Sequence, residues 1–322
     1  MTELGIEGAL APRSLATAPP RRRAKGRPVW EEPPTKAGQF GKGTVIAVVL
    51  AVVIVPLYCV VLTSLSTQGA INQAGGLVLV PHGLTFDAYR QVFENSTVTR
   101  ALEVTFGITI AGTALSMAVS ILCAYGLSRY RSFAHRTILM TLIVTMFVSG
   151  GLIPTFIVVT ELGGYDQYWA LVLPNAVSVF NILVLRSFFA GTAVDLIDAA
   201  RLDGAGEWRI LWSVVLPTSK AVTAVITLFY AVGYWNTFFG AMLYMPADQQ
   251  KWPIQYVLYQ YVNLGMTMPG VANSGYGGIH VQSSPLSLSM AVVVLTVLPI
   301  VIVYPFVQKH FAKGMLTGAI KG

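Results

Sequence analysis

The sequence offers few groups that could carry out covalent chemistry. The run Gly41-Lys42-Gly43-Thr44 has the composition of a phosphate-binding loop, but Lys36 stands where that motif needs its first glycine. The hydrolase signatures Gly-x-Ser-x-Gly and His-Glu-x-x-His are absent from the sequence. No two of the four histidines have the spacing of a helical metal-binding pair. We therefore expect a non-catalytic chain that binds no metal or cofactor.

A different kind of site is indicated by residues 188–220, which are too long for a simple connector. Asp195 and Asp198 are spaced as a helix N-cap and an acidic residue in the first turn. Gly204 and Gly206 predict a tight turn after that helix. A second helix is predicted by apolar residues at positions i, i+3, i+4 and i+7, which are Trp208, Leu211, Trp212 and Val215. Pro217 should end it.

The elements that hold this segment are predicted to cross a membrane. The chain is 54% hydrophobic and 11% charged, and a soluble domain carries about 25% charged residues. A helix needs about 20 mainly apolar residues to span a bilayer. The predicted fold is therefore an all-α polytopic membrane helix bundle with six spans, at about 44–65, 104–125, 137–159, 168–187, 221–243 and 286–307. Cys59 and Cys123 fall inside spans and predict neither a disulfide nor a metal site.

The distribution of Lys and Arg predicts the orientation of the bundle. With the amino terminus inside, 18 of these residues fall on the inner side and three on the outer side. Both termini are therefore expected in the cytoplasm, and residues 244–285 form an external loop. Residues 1–43 form a Pro- and Arg-rich tail that we expect to be disordered. We assign the net charge of +7 to topology and to contact with anionic lipid, not to nucleic acid.

A transport path through the bundle needs polar and aromatic side chains that face its interior. The best candidates in spans four and five are Asn181, Tyr230, Tyr234, Trp235 and Asn236. Aromatic faces suit sugar rings, and an amide inside a membrane needs a hydrogen-bonding partner. The alternative is that these asparagines bind neighbouring helices and that the aromatic rings pack at an interface.

The segment around Gly204 resembles the EAA loop of binding-protein-dependent ABC import permeases. That signature reads Glu-Ala-Ala, three residues, Gly, nine residues, Ile, one residue, Leu-Pro. The corresponding residues here are Asp198, Ala199, Ala200, Arg201, Leu202, Asp203, Gly204, Val214, Leu216 and Pro217. Asp198 replaces Glu, and Val214 replaces Ile. Together with Leu173-Pro174 and Trp235-Asn236, the pattern over residues 44–322 is similar to the carbohydrate-uptake permeases of the maltose-importer type, particularly the complex-sugar branch.

The resemblance implies a function and a set of partners. The helix before Gly204 would be a coupling helix that docks on a separate ATPase, with Arg201 and Asp203 making polar contacts there. The partners implied are a second permease subunit, two ATP-binding subunits that hold ATP and Mg²⁺, an extracytoplasmic solute-binding protein and the lipid of a bacterial cell membrane. This subunit would supply half of a path for a sugar or oligosaccharide.

Three alternatives remain open at this point. An ABC permease for a non-sugar solute would carry a similar loop. A stand-alone secondary transporter should have ionisable residues inside its spans and an inverted repeat, and we find neither in the sequence. A membrane scaffold that transports nothing would have no need of the loop.

Overall fold

The computed structural model describes residues 36–94, 96–129, 134–148, 150–191, 194–263 and 284–319. Most of the predicted tail and the second half of the predicted external loop therefore lie outside the described residues. The α-helices are α1 Lys36–Ser64, α2 Gln68–Ala74, α3 Asp87–Glu94, α4 Ser96–Ser128, α5 His135–Phe147, α6 Leu152–Glu161, α7 Trp169–Val172, α8 Val179–Gly191, α9 Val194–Leu202, α10 Glu207–Ile210, α11 Leu216–Thr218, α12 Lys220–Trp235, α13 Phe239–Tyr244, α14 Ile254–Asn263 and α15 Pro285–Ala319. Within these ranges the extended pairing is a single β-bridge between Ser66 and Leu84.

The chain divides into two compact units, residues 1–53 and residues 54–322. The described part of the first unit is the beginning of α1, whose apolar side chains from Val45 to Val53 are exposed. The helix begins at Lys36, so the prediction of a disordered tail reaching residue 43 is wrong for its last residues. No proline follows Pro34 in this stretch, and the Thr44 hydroxyl donates to the Phe40 carbonyl within the helix.

The helices have the lengths and compositions that six membrane crossings require. Among the described residues, three single helices are long and apolar enough to cross a bilayer, namely Gly38–Ser64, Ser96–Ser128 and Pro285–Pro305. Three bent helix pairs meet the same criteria when each pair counts as one span. The predicted all-α helical bundle is confirmed, with up to six candidate spans among the described residues.

Three of the predicted spans are broken, where continuous helices were expected. Span three consists of α5, which ends at Phe147, and α6, which begins at Leu152 directly after Gly151 with φ +82°. Span four bends by 51° between a helical segment ending at Asn175 and α8, just after Pro174. Span five was predicted to continue to residue 243, but α12 ends at Trp235 and α13 begins at Phe239.

Helix α4 lies at the centre of the second unit and packs against α8 and α12. Helix α15 covers α12, and α3 and α14 pack onto α15. The face of α4 toward its neighbours repeats a small buried residue every four positions, at Gly112, Ser116, Ser120 and Ala124. Small residues at this spacing allow another helix to approach closely.

Candidate functional site

Helix α9 is closed by a turn that requires glycine. The Ala205 N–H donates to the Ala200 carbonyl at 2.9 Å, and the Gly204 N–H donates to the Arg201 carbonyl at 3.0 Å. These two bonds form a Schellman motif, with Gly204 in the left-handed region at φ +77°. The predicted tight turn is therefore present. The helix begins at Val194, so Asp195 lies in its first turn and is not the residue before the helix.

The residues of α9 and its turn divide into an inner and an outer set. Ile197 is fully buried, and Ala200 packs against the core. Leu202 lies at the tip of the helix with 90% of its surface exposed. The other exposed residues of this segment are Leu196, Asp198, Ala199, Arg201, Asp203 and Gly204. The outer set thus presents charges of both signs together with two exposed leucines, of which Leu202 at the tip is the more exposed.

The second arm of the loop, residues 207–218, is not the regular α-helix that its apolar spacing predicted. Leu211 and Val215 are buried as expected, but Trp208 and Trp212 are 66% and 64% exposed. The four residues therefore do not share one buried face. A π-helical stretch over Leu211–Val215 interrupts the regular α-helical spacing of this arm. This wide turn directly precedes Leu216, which packs partly against the core, and the exposed Pro217.

A polar junction joins both arms of the loop to the end of α4. The Arg201 guanidinium donates to a carboxylate oxygen of Glu207 at 3.0 Å. The Tyr125 hydroxyl of α4 donates to the other carboxylate oxygen, and it lies 3.3 Å from the Glu207 carbonyl oxygen. The guanidinium carbon of Arg129 lies 4.6 Å from the centre of the Tyr125 ring. The Tyr125 hydrogen bond and the Arg201 contact hold the pKa of Glu207 below its ordinary value.

A cavity of about 550 Å³ is lined by residues of spans three, four and five, from α6, α8, α12 and α13 and the segments beside them. It is lined by Leu152, Thr155, Pro174, Asn175, Ser178, Asn181, Phe229, Tyr230, Gly233, Tyr234, Asn236, Thr237, Phe238, Phe239, Gly240, Leu243 and Tyr244. None of these described lining residues is Asp, Glu, Lys or Arg. The wall is therefore aromatic and uncharged, with amide and hydroxyl groups placed among the rings.

Four of the five predicted path residues line this cavity, namely Asn181, Tyr230, Tyr234 and Asn236. Asn181 is 6% exposed, and Asn236 is exposed. Asn236 lies at the C-terminal end of α12, where its side chain donates to the Val232 carbonyl at 2.8 Å. Asn236 therefore lies at a helix end and not within a continuous fifth span over residues 221–243.

Trp235 lies outside the cavity. Its indole N–H donates to the Thr296 carbonyl of α15 at 3.0 Å. Its ring meets Phe106 of α4 edge to face, with the centroids 5.0 Å apart. Trp235 therefore joins α12 to two neighbouring helices.

The two cavity tyrosines are held by serines of α4. The Tyr230 hydroxyl lies 2.7 Å from the Ser120 hydroxyl and accepts from the Ser178 N–H at 3.2 Å. The Tyr234 hydroxyl lies 2.8 Å from the Ser116 hydroxyl and donates to the Val172 carbonyl at 3.1 Å. Two serines four residues apart thus face two tyrosines four residues apart on an antiparallel helix.

Ser116, Ser120, Tyr125 and Glu207 were not singled out from the sequence. The repeat of a small residue every four positions, starting at Gly112, is a sequence signal for the serines. No comparable signal marks Tyr125 and Glu207, which are 82 residues apart along the chain.

Comparisons with known proteins agree with this arrangement. A family model described as "Binding-protein-dependent transport system inner membrane component" matches residues 116–317. The polygalacturonan/rhamnogalacturonan transport system permease protein YtcP of Bacillus subtilis (strain 168) is 43% identical over 246 residues, which cover 76% of this chain and 85% of that protein. Protein LplC of the same organism is 40% identical over 273 residues, which cover 84% of this chain and 90% of LplC.

A solved structure has the same fold. A chain from the crystal structure of a bacterial ABC transporter involved in the import of the acidic polysaccharide alginate superimposes with a TM-score of 0.80 and 27% sequence identity. The match covers 87% of this chain and all of that chain. The family model spans more than half of the sequence and two relatives exceed 30% identity over most of it, so this chain belongs to the family of binding-protein-dependent transport system inner membrane components, the permeases of ABC importers.

Proposed function

We propose that this chain is the permease subunit of an oligosaccharide importer and that helix α9 docks a separate ATPase. The observation that carries the docking proposal is the Schellman turn at Gly204, which holds α9 rigidly at the surface of the bundle. A short helix fixed in this way can pass a rigid-body motion of the partner into the spans on either side of it.

The outer set of α9 has the chemistry of a docking surface. Leu202 would enter an apolar pocket of the ATPase, since a leucine that is 90% exposed has no packing role in this chain. Asp198, Arg201 and Asp203 would make the polar contacts around it. The small side chains of Ala199 and Ala200 would allow the ATPase to approach the helix backbone closely. Leu216 and Pro217 lie at the end of the second arm, directly before α12.

The proposed assembly contains four kinds of partner. Two ATP-binding subunits would hold ATP and Mg²⁺ and carry out hydrolysis, and a second permease chain would complete the path. An extracytoplasmic solute-binding protein would deliver the solute, in keeping with the family description. Lipid would surround the exposed apolar helices, and the loop 188–220 would lie at the cytoplasmic face.

An oligosaccharide is the solute class that the molecule and its relatives favour. The cavity combines aromatic rings with the amides of Asn181 and Asn236, and sugar rings pack their C–H faces on such rings while their hydroxyls bind polar groups. YtcP is named for polygalacturonan and rhamnogalacturonan, and the solved importer for alginate. All three are polymers of sugars, and this supports the same class here.

The test is reconstitution of the chain with the permease, ATPase and solute-binding proteins encoded beside its gene. We expect ATP-dependent uptake into vesicles of an oligosaccharide that the solute-binding protein binds, measured against a panel of uronic-acid oligosaccharides, neutral oligosaccharides and a peptide. Uptake of the peptide alone would contradict the sugar assignment. Uptake without any ATPase would contradict the docking role of α9.

A further inference from the structure

We propose that Tyr125 and Glu207 are positioning residues that pass the motion of the docking helix into α4, and through α4 to the cavity wall. This inference rests on the proposed function, since it assumes that α9 is moved by an ATPase. The loop is joined covalently to α8 and α12, so these two helices would be expected to transmit its motion. The proposal adds α4, which lies far from the loop in sequence, as a third helix that transmits it.

The first step of this connection is the Glu207 carboxylate. One of its oxygens accepts from Arg201, which belongs to the docking segment, and the other accepts from Tyr125 of α4. Glu207 lies in the first turn of the second arm, so one side chain ties both arms of the loop to the same helix. Charge-assisted hydrogen bonds of this kind are stronger and more directional than neutral ones.

The second step runs along α4. This helix continues without proline from Ser96 to Ser128, so it moves as one rigid element. Ser120 and Ser116 lie one to three turns before Tyr125, and their hydroxyls bind Tyr230 and Tyr234 in the cavity wall. A displacement at Tyr125 therefore reaches both tyrosines through one helix and two hydrogen bonds.

The covalent route from the loop to the cavity, along the chain into α12, is more easily deformed than the route through Glu207, Tyr125 and α4. It passes through the π-helical turn Leu211–Val215 and then through an 87° bend before α12. The Ser219 hydroxyl at that bend is buried and has no hydrogen-bonding partner among the described residues. A widened turn followed by a sharp bend can absorb motion, whereas the Glu207–Tyr125 contact bypasses both features.

The experiment measures the amount of solute transported per ATP hydrolysed in the reconstituted complex. Tyr125→Phe removes the hydroxyl donor, and Glu207→Gln replaces the charged carboxylate by a neutral amide; both keep the shape of the side chain. We expect each variant to lower the transport ratio by about fivefold or more, with assembly and basal ATP hydrolysis retained. The double variant should be no worse than the more severe single one, because both changes break the same contact. Tyr304→Phe and Glu161→Gln, both at exposed positions, are the matched controls and should leave the ratio unchanged.

A third variant keeps the test decisive if the Tyr125→Phe protein assembles poorly. Ser120→Ala removes the hydrogen bond to Tyr230 at the far end of the connection and should lower the ratio as well. Normal ratios in Glu207→Gln and Ser120→Ala, or additive losses in the Tyr125/Glu207 pair, would overturn the proposed connection and leave the docking role of α9 intact. A wild-type complex without ATP-driven uptake would instead overturn the proposed function itself.

Discussion

Gly112 of α4 lies directly against the ring of Tyr234 of α12. A Cβ atom built on Gly112 would come within 2.8 Å of two ring carbons, closer than such atoms approach in folded proteins. One turn further along, Ser116 is hydrogen-bonded to the same tyrosine. The absence of a side chain at Gly112 is therefore what allows the hydroxyl of Tyr234 to reach both Ser116 and the Val172 carbonyl.

Replacing Gly112 by alanine should destabilise the bundle. The added methyl group must displace either the Tyr234 ring or the α4 backbone, and overpacking of this kind costs about 1–3 kcal/mol. We expect a lower thermal unfolding midpoint for Gly112→Ala in detergent. Gly107→Ala is the control on the same helix, because a Cβ there meets no atom within 4 Å. An unchanged midpoint for Gly112→Ala would show that the ring moves aside freely.

Replacing Gly204 by valine should uncouple the permease from its ATPase without preventing membrane insertion. Gly204 has φ +77°, a conformation that is strained for a β-branched residue even though no neighbouring atom blocks the site. The Schellman bonds should weaken, and α9 should lose its fixed orientation. We expect solute-stimulated ATP hydrolysis to fall by about tenfold or more in reconstituted vesicles.

Gly206→Val is the matched control for the Gly204 variant. Gly206 lies two residues away, is also exposed, and has an extended backbone with φ −71° and ψ 161°, which valine adopts readily. Near-normal stimulated hydrolysis is expected there. Equal losses in the two variants would indicate that bulk in the turn matters and that its left-handed geometry does not.

The features that local chemistry determines were predictable from the sequence. The Gly204 turn follows from a short helical pattern that stops at a glycine, and the six crossings follow from long uncharged apolar stretches. The break near Gly151 was missed, because membrane helices often contain glycine and proline without breaking, and the break after Asn236 contains neither residue. Composition alone does not distinguish a tolerated glycine from one that ends a helix.

Contacts between distant residues were beyond sequence reasoning. Ser116 and Tyr234 are 118 residues apart, and their pairing depends on how α4 and α12 cross. The second helix predicted from Trp208, Leu211, Trp212 and Val215 assumed regular α-helical spacing, which the π-helical stretch over Leu211–Val215 changes. A widened turn of this kind has no signature that propensity or periodicity would detect.

Glu207 should give the loop a dependence on acid pH. Its pKa is lowered by the Tyr125 hydrogen bond and by Arg201, so the carboxylate is favoured in the folded protein. A group with a lowered folded-state pKa contributes stability above its unfolded pKa, about 4.3 for glutamate, and the contribution is lost as the pH falls further. We expect the difference in thermal midpoint between wild type and Glu207→Gln to be constant from about pH 6 to 8 and to shrink below about pH 4.3.

The same pH series contains its own control. Glu161→Gln removes an exposed carboxylate from a different helix and should leave the acid dependence of the wild type in place. A wild-type advantage over Glu207→Gln that grows as the pH falls would contradict the assigned direction of the pKa shift.

Trp235 and Asn236 are adjacent in the sequence, but their side chains should serve different purposes. Trp235 is buried against Phe106 and bonded to the Thr296 carbonyl, so Trp235→Ala removes a large packed ring and should cost about 3–5 kcal/mol of stability. Asn236 is exposed in the cavity, and its side-chain oxygen accepts from Gln255 at 3.3 Å. Asn236→Ala should therefore leave assembly with the partner subunits intact and lower solute uptake.

Size-exclusion profiles of the assembled complex and uptake rates measured on the same preparations separate the two effects. Trp235→Phe, which keeps an aromatic ring against Phe106 but loses the indole N–H, should assemble better than Trp235→Ala because most of the packing area remains. Loss of assembly in Asn236→Ala to the same degree as in Trp235→Ala would make Asn236 a packing residue. Full assembly of Trp235→Ala with abolished uptake would instead return Trp235 to the transport path, since its removal would then act on the solute and not on the contact between α12 and α15.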